Sequence, residues 1–372
     1  MIQLIKKKLC LKAGYLISLL MRILIIQQKY TGDVLMSSIL CENLKKWNPN
    51  CIIDFVANNF TVDIIENNPF IDNIIIFKKG FGFLFSIRKI KYDYLIDCYS
   101  KIESNLIALF SYSKIKITYY KWYSNFIYNS TVKRFNKPDK SIELSIKNRL
   151  ELLKPILGSD FNYVIDSKVY FDNSYLNSIY LKMKPYLKNQ KKNILINIYG
   201  SNENKTLPID QMIKLIEYID SNLKCNLIMN YMPSQVNKTD KLLSKLNRDV
   251  KRNIINYVPN TLKDFIHTTH FCDAVLGNEG GAINIAKSIG KPTFSIFSPA
   301  IDSKGWHSNR KKNHFAVHLS DYFPNLFDNK SKKEVRSLNK EFYKKLKFEL
   351  FKEKLFLFLK LIKTNEKKIS ES

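Results

Sequence analysis

Glycine is scarce in this chain, 11 of 372 residues, and five of the eleven fall between Gly277 and Gly305. A chain so poor in glycine keeps it where the backbone turns tightly or approaches something closely, which marks that stretch. The six cysteines, Cys10, Cys41, Cys51, Cys98, Cys225 and Cys272, form no C-x-x-C pair, and each lies in or beside an apolar run. That argues against a disulfide frame or a zinc site and predicts buried, reduced thiols in the cytoplasm. Neither G-x-G-x-x-G nor G-x-x-x-x-G-K-[ST] occurs, so a dinucleotide fingerprint and a Walker-type phosphate loop are both unsupported. No D-x-D carboxylate pair stands at a candidate donor-site strand end, so no metal and no cofactor is expected. His267, His270, Cys272 and Asp273 lie across a helix end and the following strand and are not expected to converge on an ion.

Charge of one sign is abundant. Lys and Arg number 60 against 33 Asp and Glu, a balance of +27. One reading is an anionic partner, either a membrane surface or a phosphorylated substrate. The other is background, because the chain is rich in Ile, Lys and Asn together and its basic residues are spread throughout. Nucleic acid is not expected, since no recognition-module signature is present. Lys6, Lys7 and Lys8 precede an apolar stretch, Ala13 to Met21, which resembles a signal peptide. No small-x-small cleavage site follows, and Lys12 and Arg22 leave the stretch too short to span a bilayer. Residues 1–20 therefore read as an N-terminal extension ahead of the first domain, with a short membrane-surface helix as the other reading.

Apolar runs rich in Ile, Leu and Val alternate with helix-period segments, as parallel strands covered on both faces do. The runs predict strands at 22–27, 51–56, 73–77, 93–97 and 115–118, and again at 193–198, 225–230, 253–256, 273–276 and 293–297. Helices are predicted at 33–47, 173–187 and 208–222. Two successive β-α-β arrays imply an α/β chain of two Rossmann-like, doubly wound parallel-sheet domains, 21–172 and 193–330. A linker helix occupies 173–192, and a long basic helix occupies 331–372.

Ligands of open α/β sheets bind beyond the carboxyl ends of the strands, and three loops stand out there. In the first, Thr31-Gly32-Asp33 follows strand one; Asp33 is either a cap of the next helix or a general base. In the second, Gly200-Ser201 leads to Lys205 just ahead of a helix with Pro208 at its start. Lys205 is either a solvated loop lysine or, with the helix N–H groups, an anion site. In the third, Gly277-Asn278-Glu279-Gly280-Gly281 opens a helix through Asn284 and Ala286, followed by Gly290-Lys291-Pro292 and Phe297-Ser298-Pro299. Adjacent glycines at a helix N-terminus let phosphates approach the backbone. Glu279 would repel phosphate and fits better as an acceptor for sugar hydroxyls.

Together these motifs resemble the bacterial heptosyltransferases, glycosyltransferase family 9, over roughly residues 21–330. Arg22-Ile-Leu-Ile-Ile-Gln-Gln-Lys-Tyr-Thr-Gly-Asp-Val-Leu is similar to that family's first strand and Gly-Asp loop. Gly200-Ser201 with Lys205 and Pro208 is similar to the start of its second domain, and Gly277 to Pro299 to its donor signature. The resemblance implies a GT-B architecture, two domains facing across a cleft, with a C-terminal helix crossing back. It implies inverting, metal-independent transfer of a sugar from a nucleotide diphosphate, usually ADP-heptose, to a growing lipopolysaccharide or lipooligosaccharide core. The enzyme would then be cytoplasmic and peripheral at the inner face of the inner membrane. By position it makes Asp33 the base and assigns Ser201, Lys205, Glu279, Gly280, Gly281, Asn284 and Asn260 to the donor. The turn here is Glu-Gly-Gly where Asp, then Ser or Thr, then Gly is common. Asn284 stands where His is frequent, and the loop Tyr231–Gln235 lacks the usual ribose-binding carboxylate. These departures leave a different nucleotide sugar, or a non-catalytic nucleotide-sugar-binding protein, as the alternatives. In the tail, Lys344, Lys345, Lys347, Lys352, Lys354 and Lys360 alternate with apolar residues. That face either packs on the protein across the domain boundary or lies on anionic lipid.

Overall fold

The structure, a computed structural model, describes residues 20–137, 141–188, 191–308 and 310–364. The expected N-terminal extension lies outside the described residues apart from Leu20. The chain divides into two compact units, residues 1–136 with 145–170, and residues 137–144 with 171–372.

The first unit runs β1 (Arg22–Ile26), α1 (Thr31–Trp47), β2 (Ile52–Ala57), β3 (Asn73–Ile76), α2 (Phe81–Arg88), β4 (Lys91–Asp97), α3 (Ile102–Phe110), β5 (Tyr112–Tyr119), β6 (Ser130–Val132), α4 (Leu144–Glu151) and α5 (Lys154–Leu157). Its six strands are all parallel, in the order β3-β2-β1-β4-β5-β6. The apolar run Ile23–Ile26 is fully buried because both faces of the central strand are covered. One polar residue interrupts the apolar strand β2: Asp54, fully buried. It accepts hydrogen bonds from Arg22 Nε at 2.9 Å, Asn73 Nδ2 at 2.8 Å and the Tyr92 hydroxyl at 2.8 Å. One carboxylate thus ties four neighbouring strands at one level, and its buried charge is matched by Arg22.

The second unit runs α6 (Asn173–Met183), β7 (Asn193–Asn197), α7 (Ile209–Leu223), β8 (Asn226–Asn230), α8 (Val236–Lys245), α9 (Arg248–Asn253), α10 (Leu262–His270), β9 (Ala274–Asn278), α11 (Gly281–Ser288), β10 (Thr293–Ile296), β11 (His314–Val317), α12 (Lys332–Ser337), α13 (Asn339–Lys345) and α14 (Phe348–Thr364). Its five strands are also parallel, in the order β11-β10-β9-β7-β8. Helix α6 packs against α10 and belongs to this unit, with the Tyr175 hydroxyl on Asp264 at 2.8 Å.

Several elements differ from the sequence reading. The run 253–256 makes only a single bridge, Leu227 to Ile254, because α9 ends at Asn253 and the chain leaves the sheet at once. The short strands β6 and β11 carry no long apolar run and escaped notice. Among the described residues the tail is three helices rather than one. Leu346, fully buried, leaves helical conformation to anchor the chain, and Gln211 Oε1 accepts from the Phe348 N–H at 2.6 Å. The apolar face of α14 lies inside the second unit's own core, where Phe351, Leu355 and Phe358 pack under β10 and β11. Replacing Phe358 by Ala removes a fully buried ring from that core. It is expected to cost about 3–5 kcal/mol, measured on the second unit's denaturant transition.

Candidate active site

In each sheet the chain order reverses at one place. Strand β1 lies between β2 and β4, and β7 lies between β8 and β9. The crevices beyond the carboxyl ends at such reversals are where open α/β sheets bind ligands. The three loops singled out in the sequence follow β1, β7 and β9, so all three stand at the two reversals.

In the first unit, α1 begins at Thr31 directly after a four-residue loop, and Gly32 is buried within its first turn. No side chain caps this helix. The cap reading of Asp33 is therefore overturned, because its carboxylate is engaged elsewhere. Arg149 of α4 donates from Nη2 to Asp33 Oδ1 at 2.5 Å, from Nε to Ser37 Oγ at 2.8 Å, and from Nη1 to the Ser145 carbonyl at 2.8 Å. Burial disfavours the guanidinium charge, but the Asp33 carboxylate, with Tyr119 and Cys98, outweighs it and raises the Arg149 pKa. Asp33 itself stays partly exposed, and Oδ2 takes no hydrogen bond among the described residues. The backbone on both sides of this reversal is strained. Tyr30 before α1 and Ser100 after β4 both hold positive φ, 68° and 49°, a cost that clusters at functional sites.

In the second unit the two loops are locked together. Gly277 has φ 127°, and a Cβ there would run into the carbonyl of Asn197 on β7. This close approach lets Asn278 reach across. Its Oδ1 accepts from the Leu207 N–H at 2.7 Å and the Tyr343 hydroxyl at 3.1 Å, and its Nδ2 donates to the Ile198 carbonyl at 2.6 Å. Asn197 donates to the Asn278 carbonyl and accepts from Asn230, both at 2.8 Å. Gly200 fits because the Lys205 backbone fills the space a Cβ would need. The Asn204 carbonyl accepts from Ser298 Oγ and from Asn339 Nδ2. Lys205 ends in a single tight turn, Glu203–Lys205, and its ammonium takes no ion pair or hydrogen bond among the described residues.

Glu279 is 9% exposed; its N–H donates to the Ile296 carbonyl at 2.9 Å, and its carboxylate has no hydrogen-bond partner among the described residues. Burial raises its carboxyl pKa, while the charges of Lys205 and Lys287 act against the rise. Gly280, at φ 148°, opens α11 with no side-chain cap, leaving the first N–H groups of that helix available. Asn284 is buried one turn into α11, and Ser201 is exposed at the tip of the Lys205 loop. Asn260 is exposed just ahead of α10, where Thr261 caps the helix. The structure thus gathers Lys205, Glu279, Gly280, Gly281 and Asn284 around one reversal and Thr31, Gly32 and Asp33 around the other. A cavity of about 490 Å³ opens beside the Lys205 loop, with Leu207, Ser234, Gln235 and Tyr343 in its wall.

Sequence reasoning missed Arg149, Asn278 and Lys287. Lys287 is buried, donates to the Trp306 carbonyl at 2.8 Å, and is pushed down to about 8 by burial against the charges of Glu143 and Glu279. A faint signal for Arg149 existed: Asp33 and Ser37 are spaced i, i+4 and share one helix face. Of the residues at the α10 end and the following strand, His267 Nδ1 bonds the Lys263 carbonyl and Asp273 pairs with Lys192. Among the described residues no group of three or more His, Cys, Asp or Glu side chains could hold a metal ion. Five described cysteines are free and buried, as expected, and Cys10 lies outside the described residues.

Comparison with known proteins places this architecture. A lipopolysaccharide heptosyltransferase 1 of Campylobacter coli is 22% identical over 310 residues, covering 74% of this chain and 84% of that protein. A glycosyltransferase family 9 structure from Veillonella parvula matches with TM-score 0.71 at 14% identity, covering 91% of this chain and 97% of that one. An E. coli heptosyltransferase, WaaC, solved with ADP-2-deoxy-2-fluoro heptose, matches with TM-score 0.60 at 14% identity, covering 87% and 98%. Likeness at that identity is one of fold, and it is the GT-B α/β fold that the motifs implied. The family description glycosyltransferase family 9 (heptosyltransferase) matches residues 83–323, which hold the Lys205 and Glu279 loops. The chain belongs to that family and is a glycosyltransferase.

Proposed function

We propose that the chain transfers heptose from ADP-heptose, with inversion and without a metal, to a lipopolysaccharide or lipooligosaccharide core. The observation that carries the donor side is the pairing of an unpartnered Lys205 with a buried, unpartnered Glu279 at the uncapped start of α11. A buried polar group without a protein partner calls for one from a ligand. Lys205 and the α11 N–H groups fit the diphosphate, whose negative charge grows as it leaves. Glu279 fits sugar hydroxyls as an acceptor, and Ser201, Asn284 and Asn260 extend the donor contacts. The heptosyltransferase solved with an ADP-heptose analogue supports this choice of donor.

On the acceptor side Asp33 is the base. Arg149 fixes Oδ1, and Oδ2 takes the proton of the acceptor hydroxyl. The oxygen attacks the anomeric carbon opposite the diphosphate, and the bond to the leaving oxygen breaks with its electron pair going to ADP. One base takes the hydroxyl proton and one cationic site at a helix start meets the leaving diphosphate, so the reading routes no step through a metal. A lipid-borne acceptor places the reaction at a membrane, at the cytoplasmic face of the inner membrane, which suits the free cysteines. Among the described residues no helix is long and apolar enough to cross a membrane.

Asp33→Ala is expected to lower kcat about 10²–10⁴-fold and to leave ADP binding intact by calorimetry. Near-normal turnover would remove Asp33 from the mechanism. Lys205→Ala should weaken binding of ADP far more than that of adenosine, because the lost contact is to phosphate. Turnover should also survive chelation, and full inhibition by EDTA would contradict the metal-free reading. Arg149→Met should depress kcat with little change in donor KM, and Arg149→Lys should recover only part of it, because a lysine supplies the charge without the fork. A rise in donor KM alone would show that Arg149 does not act through Asp33.

A further inference from the structure

We propose that the outer face of α2 and α3, with the loop Tyr120–Phe126, is a docking surface for an anionic lipid bilayer. The inference concerns the first unit alone and goes beyond the proposed reaction, which it does not need. Helix α3 is apolar on both sides. Ile107 and Ala108 face the core, while Ile102, Leu106 and Leu109, spaced i, i+4, i+7, are 73%, 43% and 50% exposed. A helix on a water-facing surface carries polar residues on that stripe. Helix α2 repeats the pattern. Leu84 and Ile87 are buried, and Phe81 and Phe85, one turn apart, stand exposed. The two helices pack side by side, and Phe110 at the end of α3 meets the Phe81 and Phe85 rings at 6.3 Å each. The turn Asn125–Ile127 packs on α3 in its turn. It brings Trp122 and Phe126, 83% and 82% exposed, to the same region of the unit. Exposed large apolar side chains grouped on neighbouring elements mark an interaction surface, whereas single scattered ones do not.

The charge around it names the occupant. From Phe77 to Phe135 the chain holds eleven Lys and Arg and only three acids, Asp93, Asp97 and Glu103. None of the three presents an uncompensated charge. Asp97 is fully buried, Asp93 is paired with Lys114, and Glu103 is paired with Lys29. Lys78 and Lys79 lead into α2, Arg88 and Lys89 end it, Lys101 precedes α3, and Lys121 adjoins Trp122. Cations beside exposed aromatic rings match the headgroup layer, where Trp and Tyr settle and lysines meet anionic phosphate. A second copy of this surface would bring the same positive charge against itself. The buried stripe of α14 is not available to lipid, because it is already inside the second unit's core.

The test is flotation of the full chain with vesicles of phosphatidylcholine alone or mixed equally with phosphatidylglycerol, at low and high salt. Binding to the anionic vesicles at low salt is expected, with loss at high salt as charges are screened. The double substitution Leu106→Glu and Phe126→Glu should lower the bound fraction about tenfold or more. Lys78→Glu with Lys79→Glu should weaken binding at low salt only. All four side chains are exposed, and an unchanged melting temperature, raised by ADP as in the parent chain, confirms that the fold and donor site are intact. Loss of the ADP effect in the parent chain itself would count against the proposed reaction and leave this surface unaffected. No binding of the parent chain to anionic vesicles at low salt overturns the inference. So does undiminished binding of the double variant, which would move the contact elsewhere. A parent dimer in solution that the same substitutions dissociate would assign the surface to a second copy and also overturn it.

Discussion

The side chain of Asn278 is the constraint on which the donor half depends. A carboxamide has acceptor and donor ends that work at once, and here both ends are used across strands. One end holds the Leu207 N–H of the loop after β7 and the Tyr343 hydroxyl of α13, and the other holds the Ile198 carbonyl. The contact is possible only because Gly277 adopts φ 127° beside the Asn197 carbonyl, where a Cβ would not fit. Lys205 precedes Leu207 by two residues, and Glu279 follows Asn278 directly. The separation of the cation from the carboxylate is therefore set by a buried amide network rather than by two independent loops. A network with its polar groups matched is rigid, whereas one missing partner would leave several buried groups exposed to the full desolvation cost.

The first unit solves the same problem with charge. Asp33 and Arg149 are 116 residues apart and come together because α4 returns to α1. A buried guanidinium without a partner is costly, so the pair holds α4 in place as well as the carboxylate. Neutral amides could fix geometry equally well, as they do around Asn278. An ion pair additionally keeps one carboxylate oxygen occupied and leaves the other without a partner among the described residues. The positive φ of Tyr30 and Ser100 belongs to the same arrangement. Strain of that kind persists only where the surroundings over-determine the backbone, and here the surroundings are the buried carboxyl ends of β1 and β4.

Long Ile-rich strands such as β1, β2 and β7 were legible because burial on both faces writes a continuous apolar run. The edge strands β6 and β11 were not, since three or four residues at an edge leave no run to read. The segment 253–256 has the right composition and lacks a partner along its length, and ladder pairing is invisible in composition. The loops holding Asp33, Lys205 and Glu279 could be found because glycine is rare in this chain and strand ends are predictable. Arg149 and Asn278 could not be found, for one physical reason. Each is an ordinary residue in a Lys- and Asn-rich chain, and each acquires its role from a contact 65 or more residues away. The tail misled in a different way: its period was helical, but Leu346 is more stable buried than in a continuous helix.

Periodicity also says which residues share a face without saying what that face meets. In α14 the apolar stripe meets the core of its own unit, although its lysines make it resemble a membrane-surface helix. In α3 the inward stripe is satisfied by the sheet, and a second stripe of Ile102, Leu106 and Leu109 stays exposed among the described residues. Net charge behaves alike. The +27 balance is spread along the sequence, and what gives it direction in the first unit is the removal of Asp93, Asp97 and Glu103 by pairing or burial. A basic composition becomes a basic surface only where folding disposes of the acids, and here that happens beside the one outward-facing apolar stripe that the fold leaves on α3.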